Sequence, residues 1–154
     1  MAAQQNAQRE MQMLTEWLAT LPAGYQWKTH VRVGATPLTY QGKVLSPAQQ
    51  RAFEVWNDWA DVRVATPTEL WIVEGKIVGV AGAYGQALDY ANEYPASSDA
   101  AQFPGKRIVP VVVCAFEKAR TAAYFARFGV RTVLFTPSWA GSTLATKIFP
   151  ASSN

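Results

Sequence analysis

The sequence has few of the residues from which several common kinds of site are built. Its 154 residues include one cysteine and one histidine. A single cysteine excludes an internal disulfide and a zinc site made of several cysteines. A single histidine excludes a metal site with several histidine ligands. Cys114 lies in an apolar run and is expected to be buried. His30, close to Lys28 and Arg32, is expected at the surface.

Long hydrophobic runs and a strong excess of charge are also absent. No apolar run approaches the length of a membrane span, and residues 1–8 are polar, without the hydrophobic core of a signal peptide. Charged residues make up 16% of the chain and apolar residues 49%, and the net charge is +3. This balance is typical of a globular protein and compatible with a phosphate backbone as partner. We therefore expect a soluble, cytoplasmic protein with no membrane partner.

Predicted helices and strands alternate along the chain. Ser46 followed by Pro47 is a typical helix start, and the apolar segment 107–116 is typical of a central strand covered on both faces. The order predicts an α/β fold in which a mixed central sheet is flanked by helices. The predicted helices are 4–20, 46–59, 84–93 and 117–128, and the predicted strands are 25–33, 60–65, 70–78, 107–116 and 130–136. A single domain is expected, with its core at about 60–137 and an irregular tail at 138–154.

The two strands 60–65 and 70–78 are predicted to form a hairpin that brings charged residues together. If Ala65 and Leu70 close the turn-like segment 66–69, Asp61 lies directly across from Glu74. Opposed residues of an antiparallel pair point to the same face, about 5 Å apart. Lys76 follows Glu74 by two residues and projects from that face as well.

Such a group has the chemistry of a metal site. Two adjacent carboxylates repel each other unless a cation lies near them, and oxygen ligands suit Mg²⁺. A neighbouring lysine can hold a water molecule or stabilise negative charge that develops on a phosphate. The alternative is a hairpin with ordinary surface charges, but Leu70 and Ile72 share the acidic face, which indicates that this face is partly covered.

A wider pattern surrounds the hairpin. The segment 70–77 contains Glu-Gly-Lys, a glycine-containing link follows, and Gln86 and Tyr90 are four residues apart on one face of a predicted helix. This combination resembles the core of the PD-(D/E)XK nucleases, in which an acid on one strand precedes a strand with (D/E)-x-K. It is similar in particular to the RecB- and Cas4-like branch, whose next helix carries Q-x-x-x-Y. The resemblance covers roughly residues 61–136, where the later strand, helix and strand also follow the family's order.

The resemblance implies a restriction-endonuclease-like core with a metal-dependent active site. Asp61 and Glu74 match the ligands of Mg²⁺ or Mn²⁺, and Lys76 matches the catalytic lysine. Gln86 and Tyr90 match the helix pair that contacts substrate phosphate or supports the site.

Family members often add an acid from the first helix, and the sequence leaves two choices for it. Glu10 and Glu16 both lie in the predicted first helix. Two positions depart from the family pattern. Ala60 stands before Asp61 where the family name implies proline, and Gly75 inside the strand indicates a weakened position or a bulge that would alter the hairpin register.

Two functions of different classes are expected from these features. The first is an enzyme, a Mg²⁺- or Mn²⁺-dependent nuclease that hydrolyses phosphodiester bonds in DNA. The alternative is a catalytically silent protein that keeps the nuclease fold as a structural component of a tailed-phage virion or another assembly. The low charge and the six tryptophans and six tyrosines favour an aromatic contact surface. In the virion, the partners would be further copies of the chain or other proteins.

Overall fold

The computed structural model describes residues 2–54 and 58–141. Within them the helices are α1 (Ala2–Leu18), α2 (Pro47–Glu54), α3 (Ala81–Glu93) and α4 (Ala119–Ala126), and the strands are β1 (Gln26–Arg32), β2 (Thr39–Tyr40), β3 (Lys43–Val44), β4 (Trp59–Ala65), β5 (Glu69–Gly79), β6 (Arg107–Glu117) and β7 (Arg131–Leu134).

Five of the strands form one mixed sheet in the order β1-β4-β5-β6-β7. The pairs β1–β4 and β4–β5 are antiparallel, and β5–β6 and β6–β7 are parallel. The short strands β2 and β3 form a separate hairpin. The predicted α/β class with a mixed sheet is therefore confirmed. The apolar run of β6 lies between β5 and β7 and is buried from Val109 to Ala115.

Helices cover both faces of this sheet. On one face, Met13, Leu14, Trp17 and Leu18 of α1 pack against valines of β4, β5 and β6. These four residues recur at helical spacing, so α1 turns one apolar stripe toward the sheet. On the other face, α3 and α4 pack against the remaining buried residues of the strands. The sheet thus has an α1 face and an α3 face.

The second predicted helix begins where expected but ends earlier. The Ser46 side chain accepts a hydrogen bond from the Gln49 N–H at 3.3 Å, and the Gln49 side chain accepts one from the Ser46 N–H at 2.9 Å. This reciprocal pair is a capping box. The described part of the helix runs to Glu54, residues 55–57 lie outside the described residues, and Trp59 is already the first residue of β4. The prediction of a helix reaching Trp59 is wrong, because pairing with β1 overrides local helical periodicity in this segment.

Other predicted bounds differ by a few residues. The first helix begins at Ala2 and ends at Leu18, α3 begins at Ala81, and β7 ends at Leu134. The segment 35–45, predicted as a loop, contains the β2–β3 hairpin. Most of the predicted irregular tail, residues 142–154, lies outside the described residues.

The regular alternation of faces is interrupted in both β1 and β4. Lys28 pairs with Arg63, and both side chains form ion pairs with Asp99 on the α3 face. Three residues away, Val31 pairs with Ala60, and both belong to the apolar cluster on that same face. An odd separation normally places two strand residues on opposite faces. In each strand, the alternation of side chains between the two faces must therefore shift by one residue between these two pairs; this shift is the change of phase.

The change of phase occurs at His30 in β1 and at the opposing Asp61 in β4. His30 has a φ of 49°, in the left-handed region that is uncommon for residues other than glycine. For this reason the alternate residues from Tyr25 to Val33, which would share one side of a regular strand, lie on two different faces. An extra residue in each strand leaves the β1–β4 register intact, yet it redirects His30 and Asp61.

Gly75 contributes close packing rather than the bulge that the sequence indicates. It pairs in continuous register with Val113 of β6. A Cβ atom built on Gly75 would lie 2.7 Å from Cδ1 of Leu14, a residue of α1 that is only 1% exposed. The absence of a side chain at Gly75 therefore lets α1 approach β5 at the position between Glu74 and Lys76.

Gly75→Ala is expected to lower the free energy of unfolding by about 1–3 kcal/mol, because Leu14 must leave its packed position. A matched control is Gly82→Ala on the exposed side of α3, where a Cβ would meet nothing within 4 Å. That control is expected to stabilise the helix by roughly 0.5–1 kcal/mol. Urea denaturation of both variants measures the difference, and equal effects at the two glycines would contradict the packing argument.

Candidate active site

The predicted hairpin register is confirmed over four pairs. Ala65 pairs with Leu70, and the ladder continues to Val62 opposite Val73. The described ladder ends there, so Asp61 and Glu74 do not form the fifth regular pair that the turn arithmetic predicts. The change of phase at Asp61 turns its side chain toward the backbone of β5 instead.

The Asp61 carboxylate is anchored on the main chain of the neighbouring strand. Its Oδ2 atom accepts a hydrogen bond from the Gly75 N–H at 2.9 Å. Burial raises the pKa of Asp61, and the Gly75 N–H, the charge of Lys76 and that of His30 act in the opposite direction. The net direction is upward, so burial outweighs the stabilising contacts of this carboxylate.

Lys76 links two carboxylates from different elements. Its Nζ lies 3.3 Å from Oε1 of Glu74 and 3.5 Å from Oε2 of Glu10 in α1. The second oxygen of Glu10 lies 3.5 Å from the Ile77 N–H, which donates to it. Burial acts to lower the pKa of Lys76, but the charges of Glu10 and Glu74 outweigh it and raise the pKa. The ammonium is therefore held in its charged form between the two acids.

Glu74 is the most deeply buried acid of this group. Its side chain is 4% exposed. Burial and then the negative charge of Asp61 raise its pKa to about 7, while Lys76 acts in the opposite direction. This repulsion adds to the cost of ionising Glu74 in the folded protein. The charge of Lys76 therefore does not offset the burial of Glu74 together with its repulsion from Asp61.

The structure separates the two candidate acids of the first helix. Glu10 lies at Lys76, whereas Glu16 accepts hydrogen bonds from the backbone and side chain of Ser138 and from Gln12. The two positions are almost two helical turns apart, and α1 crosses the sheet in between. Glu10 therefore belongs to the candidate site and Glu16 does not.

The predicted helix pair lies on one face of α3. Gln86 donates a hydrogen bond from Nε2 to the Tyr90 hydroxyl at 2.7 Å. Burial raises the pKa of Tyr90, and the charges of Glu74, Asp58 and Asp61 raise it further. Tyr90 thus lies within electrostatic range of the buried acids, and the more exposed Gln86 holds its hydroxyl.

A cleft of about 390 Å³ opens between α1 and the ends of the strands. Glu10, His30, Asp61 and Lys76 contribute its polar lining, and Ala7, Met11 and Leu14 its apolar lining. His30 was expected as an ordinary surface residue, yet its left-handed backbone places it at this cleft opposite Asp61. The sequence gives no signal for this placement, because Tyr25, Trp27, Val31 and Val33 keep the regular spacing of an uninterrupted strand.

The acids present a donor set that suits a hard cation. Among residues 2–54 and 58–141, no three His, Cys, Asp or Glu side chains converge closely enough to enclose a metal ion. Mg²⁺, however, is usually held by one or two carboxylates and completes its shell with water and substrate phosphate. Asp61 and Glu74 supply two such carboxylates, and burial raises the pKa of both.

Comparisons with known proteins identify no family for this chain. No protein-family model and no curated protein matches the chain. A similar solved structure is the crystal structure of AF1548, a protein of unknown function, with 11% sequence identity and a TM-score of 0.47. The match covers 79% of this chain and 54% of that chain, so this chain spans about half the length of that protein. None of the described helices has the length and apolar character needed to cross a membrane.

Proposed function

We propose that this chain is a metal-dependent DNA nuclease of the PD-(D/E)XK type with a restriction-endonuclease-like core. The observation that carries the proposal is the pair of carboxylates Asp61, which is half-buried, and Glu74, which is buried. Lys76 offsets their repulsion only in part. A partly buried, incompletely compensated acidic pair costs stability, so its presence indicates a use for the charge. The order Asp61, Glu74, Lys76, then Gln86 and Tyr90 on the next helix, adds the family resemblance.

Asp61 and Glu74 would hold Mg²⁺ or Mn²⁺ in this proposal. Gly75 keeps one oxygen of Asp61 in place through its N–H, which leaves the other oxygen for a ligand. When bound, the metal supplies Lewis-acid activation of a water molecule and neutralises charge on the scissile phosphate. Glu74 must be ionised to bind a cation, so binding is expected to strengthen as pH rises through about 7.

Lys76 would supply positive charge at the reacting phosphate. Its ammonium stays protonated because Glu10 and Glu74 flank it, and its side chain is 33% exposed at the cleft. A fixed cation that is already positioned stabilises negative charge as it develops on the phosphate. Glu10 acts as a positioning residue, since it fixes Lys76 from the α1 side. The Gln86–Tyr90 pair would contact substrate phosphate or support Glu74 from the α3 side.

The alternative is a silent structural component of a virion or another assembly, with other proteins or further copies as partners. Exposed apolar side chains favour it. Leu38 and Val44, near the β2–β3 hairpin and within it, are 68% and 82% exposed, and Trp27 on the edge strand β1 is 50% exposed. Such side chains are common where a protein meets a partner. A DNA cleavage assay, together with the effect of Mn²⁺ on the melting temperature, distinguishes the two functions.

Linear and circular DNA incubated with the purified chain are expected to be degraded only when Mg²⁺ or Mn²⁺ is present. Asp61→Asn, which keeps the shape and the Gly75 contact, is expected to reduce the rate roughly 100-fold or more because a charged ligand is lost. The matched control is Asp89→Asn on the exposed side of α3, which is expected to cleave normally.

Cleavage that survives Asp61→Asn would contradict the assigned site. No cleavage by the unmodified chain, together with a melting temperature that Mn²⁺ does not change, would favour the structural alternative. If Mn²⁺ raises the melting temperature without cleavage, the acids bind metal but the chain is silent, since a ligand of the native state stabilises it by mass action.

A further inference from the structure

The outward side of α4 and of the turn after it carries exposed aromatic rings. Tyr124 and Phe128 are 52% and 53% exposed. Their ring centroids are 5.4 Å apart, and Phe125 supports both from below at 5.2 Å and 6.5 Å. Phe125 itself stacks on the buried Tyr84 at 5.2 Å. The two outer rings therefore form a rigid platform of which large faces remain in water.

Cations surround this platform without acidic partners. Lys118, Arg120 and Arg127 are exposed, and α4 contains no acidic residue. In the described part of the chain, none of these three cations forms an ion pair with an acid. Arg107 and Arg131, by contrast, both pair with Glu69. Residues 120, 124, 127 and 128 follow helical spacing, so cations and rings share one side of the helix.

A groove runs from the platform to the first residue of α3. It has a volume of about 370 Å³ and is lined by Ala81, Arg120, Thr121, Tyr124 and Phe125. Ala81 begins α3 two residues after the end of β5, and β5 carries Glu74 and Lys76. The groove therefore lies beyond the C-terminal end of β5, where Ala81 follows Lys76 by five residues, and on the α3 face of the sheet.

The first turn of α3, which has small side chains, lies between the groove and the Gln86 side chain. Gly82 and Gly85 present open surface here, because a Cβ on either would meet nothing within 4 Å. Ala81 is also exposed. Small side chains at these positions let a flexible polymer cross the helix close to its backbone.

We propose that a single-stranded nucleic acid crosses the start of α3 and stacks its bases on Tyr124 and Phe128, with its phosphates near Arg120 and Arg127. This inference rests on the proposed nuclease function and names the form of its substrate. Every unpaired base has a face that can stack on an aromatic ring, and cations along the strand attract its phosphates. A duplex keeps its bases stacked inside, so the exposed rings cannot reach them. An apolar protein partner would not require the unpaired cations.

Binding is measured by fluorescence anisotropy in EDTA, with a labelled oligothymidylate and a duplex of equal length as probes. Tyr124→Ala and Phe128→Ala are each expected to weaken binding of the single strand by about 5-fold or more. Tyr124→Phe keeps the ring and is expected to bind normally. Tyr124→Leu keeps an apolar contact with Phe128, so it separates lost stacking from lost folding. Trp27→Ala, which removes an equally exposed ring on β1, is the matched control.

Salt dependence tests the cations separately. Arg120→Gln and Arg127→Gln are each expected to reduce the slope of log affinity against log salt by about 0.7, the value for one phosphate contact of a single strand. Lys43→Gln, an exposed cation on the β2–β3 hairpin, is expected to leave the slope unchanged.

Several results would overturn the inference. These are single-strand affinity that is unchanged in both alanine variants, a duplex bound as tightly as the single strand, or variants that alter only self-association in sedimentation experiments. Because binding in EDTA needs no catalysis, the proposed function fails independently. If the unmodified chain cleaves no DNA but the alanine variants bind the single strand more weakly, the nuclease function is rejected and the binding surface stands. If the unmodified chain cleaves DNA and the alanine variants bind the single strand normally, the binding surface is rejected and the nuclease function stands.

Discussion

Glu74→Gln is expected to make the metal-free protein more stable at pH 8 while abolishing DNA cleavage. The usual pKa of a glutamate is 4.5, and burial together with the charge of Asp61 raises that of Glu74 to about 7. At about 1.4 kcal/mol for each pKa unit, ionising Glu74 in the folded protein costs on the order of 3 kcal/mol. Glutamine keeps the shape and removes this cost, but it cannot bind a cation as a carboxylate does.

The sign of the pH dependence follows from proton binding. Between pH 4.5 and about 7 the folded protein holds the Glu74 proton more tightly than the unfolded chain does. The free energy of unfolding therefore falls as pH rises through this window and is level above it, as far as Glu74 is concerned. The pKa of Asp61 is also raised, so it adds a decrease in the same direction.

Urea denaturation in EDTA at several pH values between 4 and 9 measures this effect, with Glu93→Gln on the exposed end of α3 as control. The unmodified chain and the control should lose stability as pH rises, and Glu74→Gln should lose much less. Added Mn²⁺ should restore the stability of the unmodified chain at pH 8 but not that of the variant. If the free energy of unfolding depended on pH in the same way for all three proteins, the pKa of Glu74 would not be raised in the folded protein.

Arg63→Met is expected to lower the free energy of unfolding by about 3–5 kcal/mol, because it leaves a buried carboxylate without its main partner. The Arg63 side chain is 6% exposed and reaches Asp99 with Nε at 2.9 Å and Nη2 at 3.3 Å. Its guanidinium lies 4.4 Å from the ring centroid of Phe103. Asp99 also accepts a hydrogen bond from the Tyr94 hydroxyl at 2.7 Å, so the cluster joins β4 to the segment after α3.

Lys28→Gln is the matched control for this prediction. Lys28 also pairs with Asp99, at 3.5 Å, but its side chain is 57% exposed. Its removal is expected to cost less than about 1 kcal/mol. The double variant Arg63→Met with Asp99→Leu is expected to recover part of the loss, since no unpaired charge remains. Equal losses for Arg63→Met and Lys28→Gln in urea denaturation would contradict the role assigned to the buried pair.

The class of fold and the local geometry of the hairpin follow from the amino-acid sequence alone. Alternating helical and extended patterns predict the α/β order, and the segment between Ala65 and Leu70 sets the register of four pairs, which the structure confirms. Ser46 marks the helix start correctly because its capping contacts involve residues three positions away. Features of this kind depend on neighbours in the chain, whose spacing the sequence states directly.

How the acids come together depends on contacts between elements that are distant in the chain. The change of phase at His30 and Asp61 depends on pairing between β1 and β4, strands separated by 26 residues. The choice of Glu10 over Glu16 depends on how α1 crosses the sheet, which the contact of Leu14 with Gly75 sets. Helical periodicity places Glu10 on the apolar stripe, four residues before Leu14, and Glu16 off it. It does not say which turn of the helix lies over Lys76. That position follows from packing between elements distant in the chain.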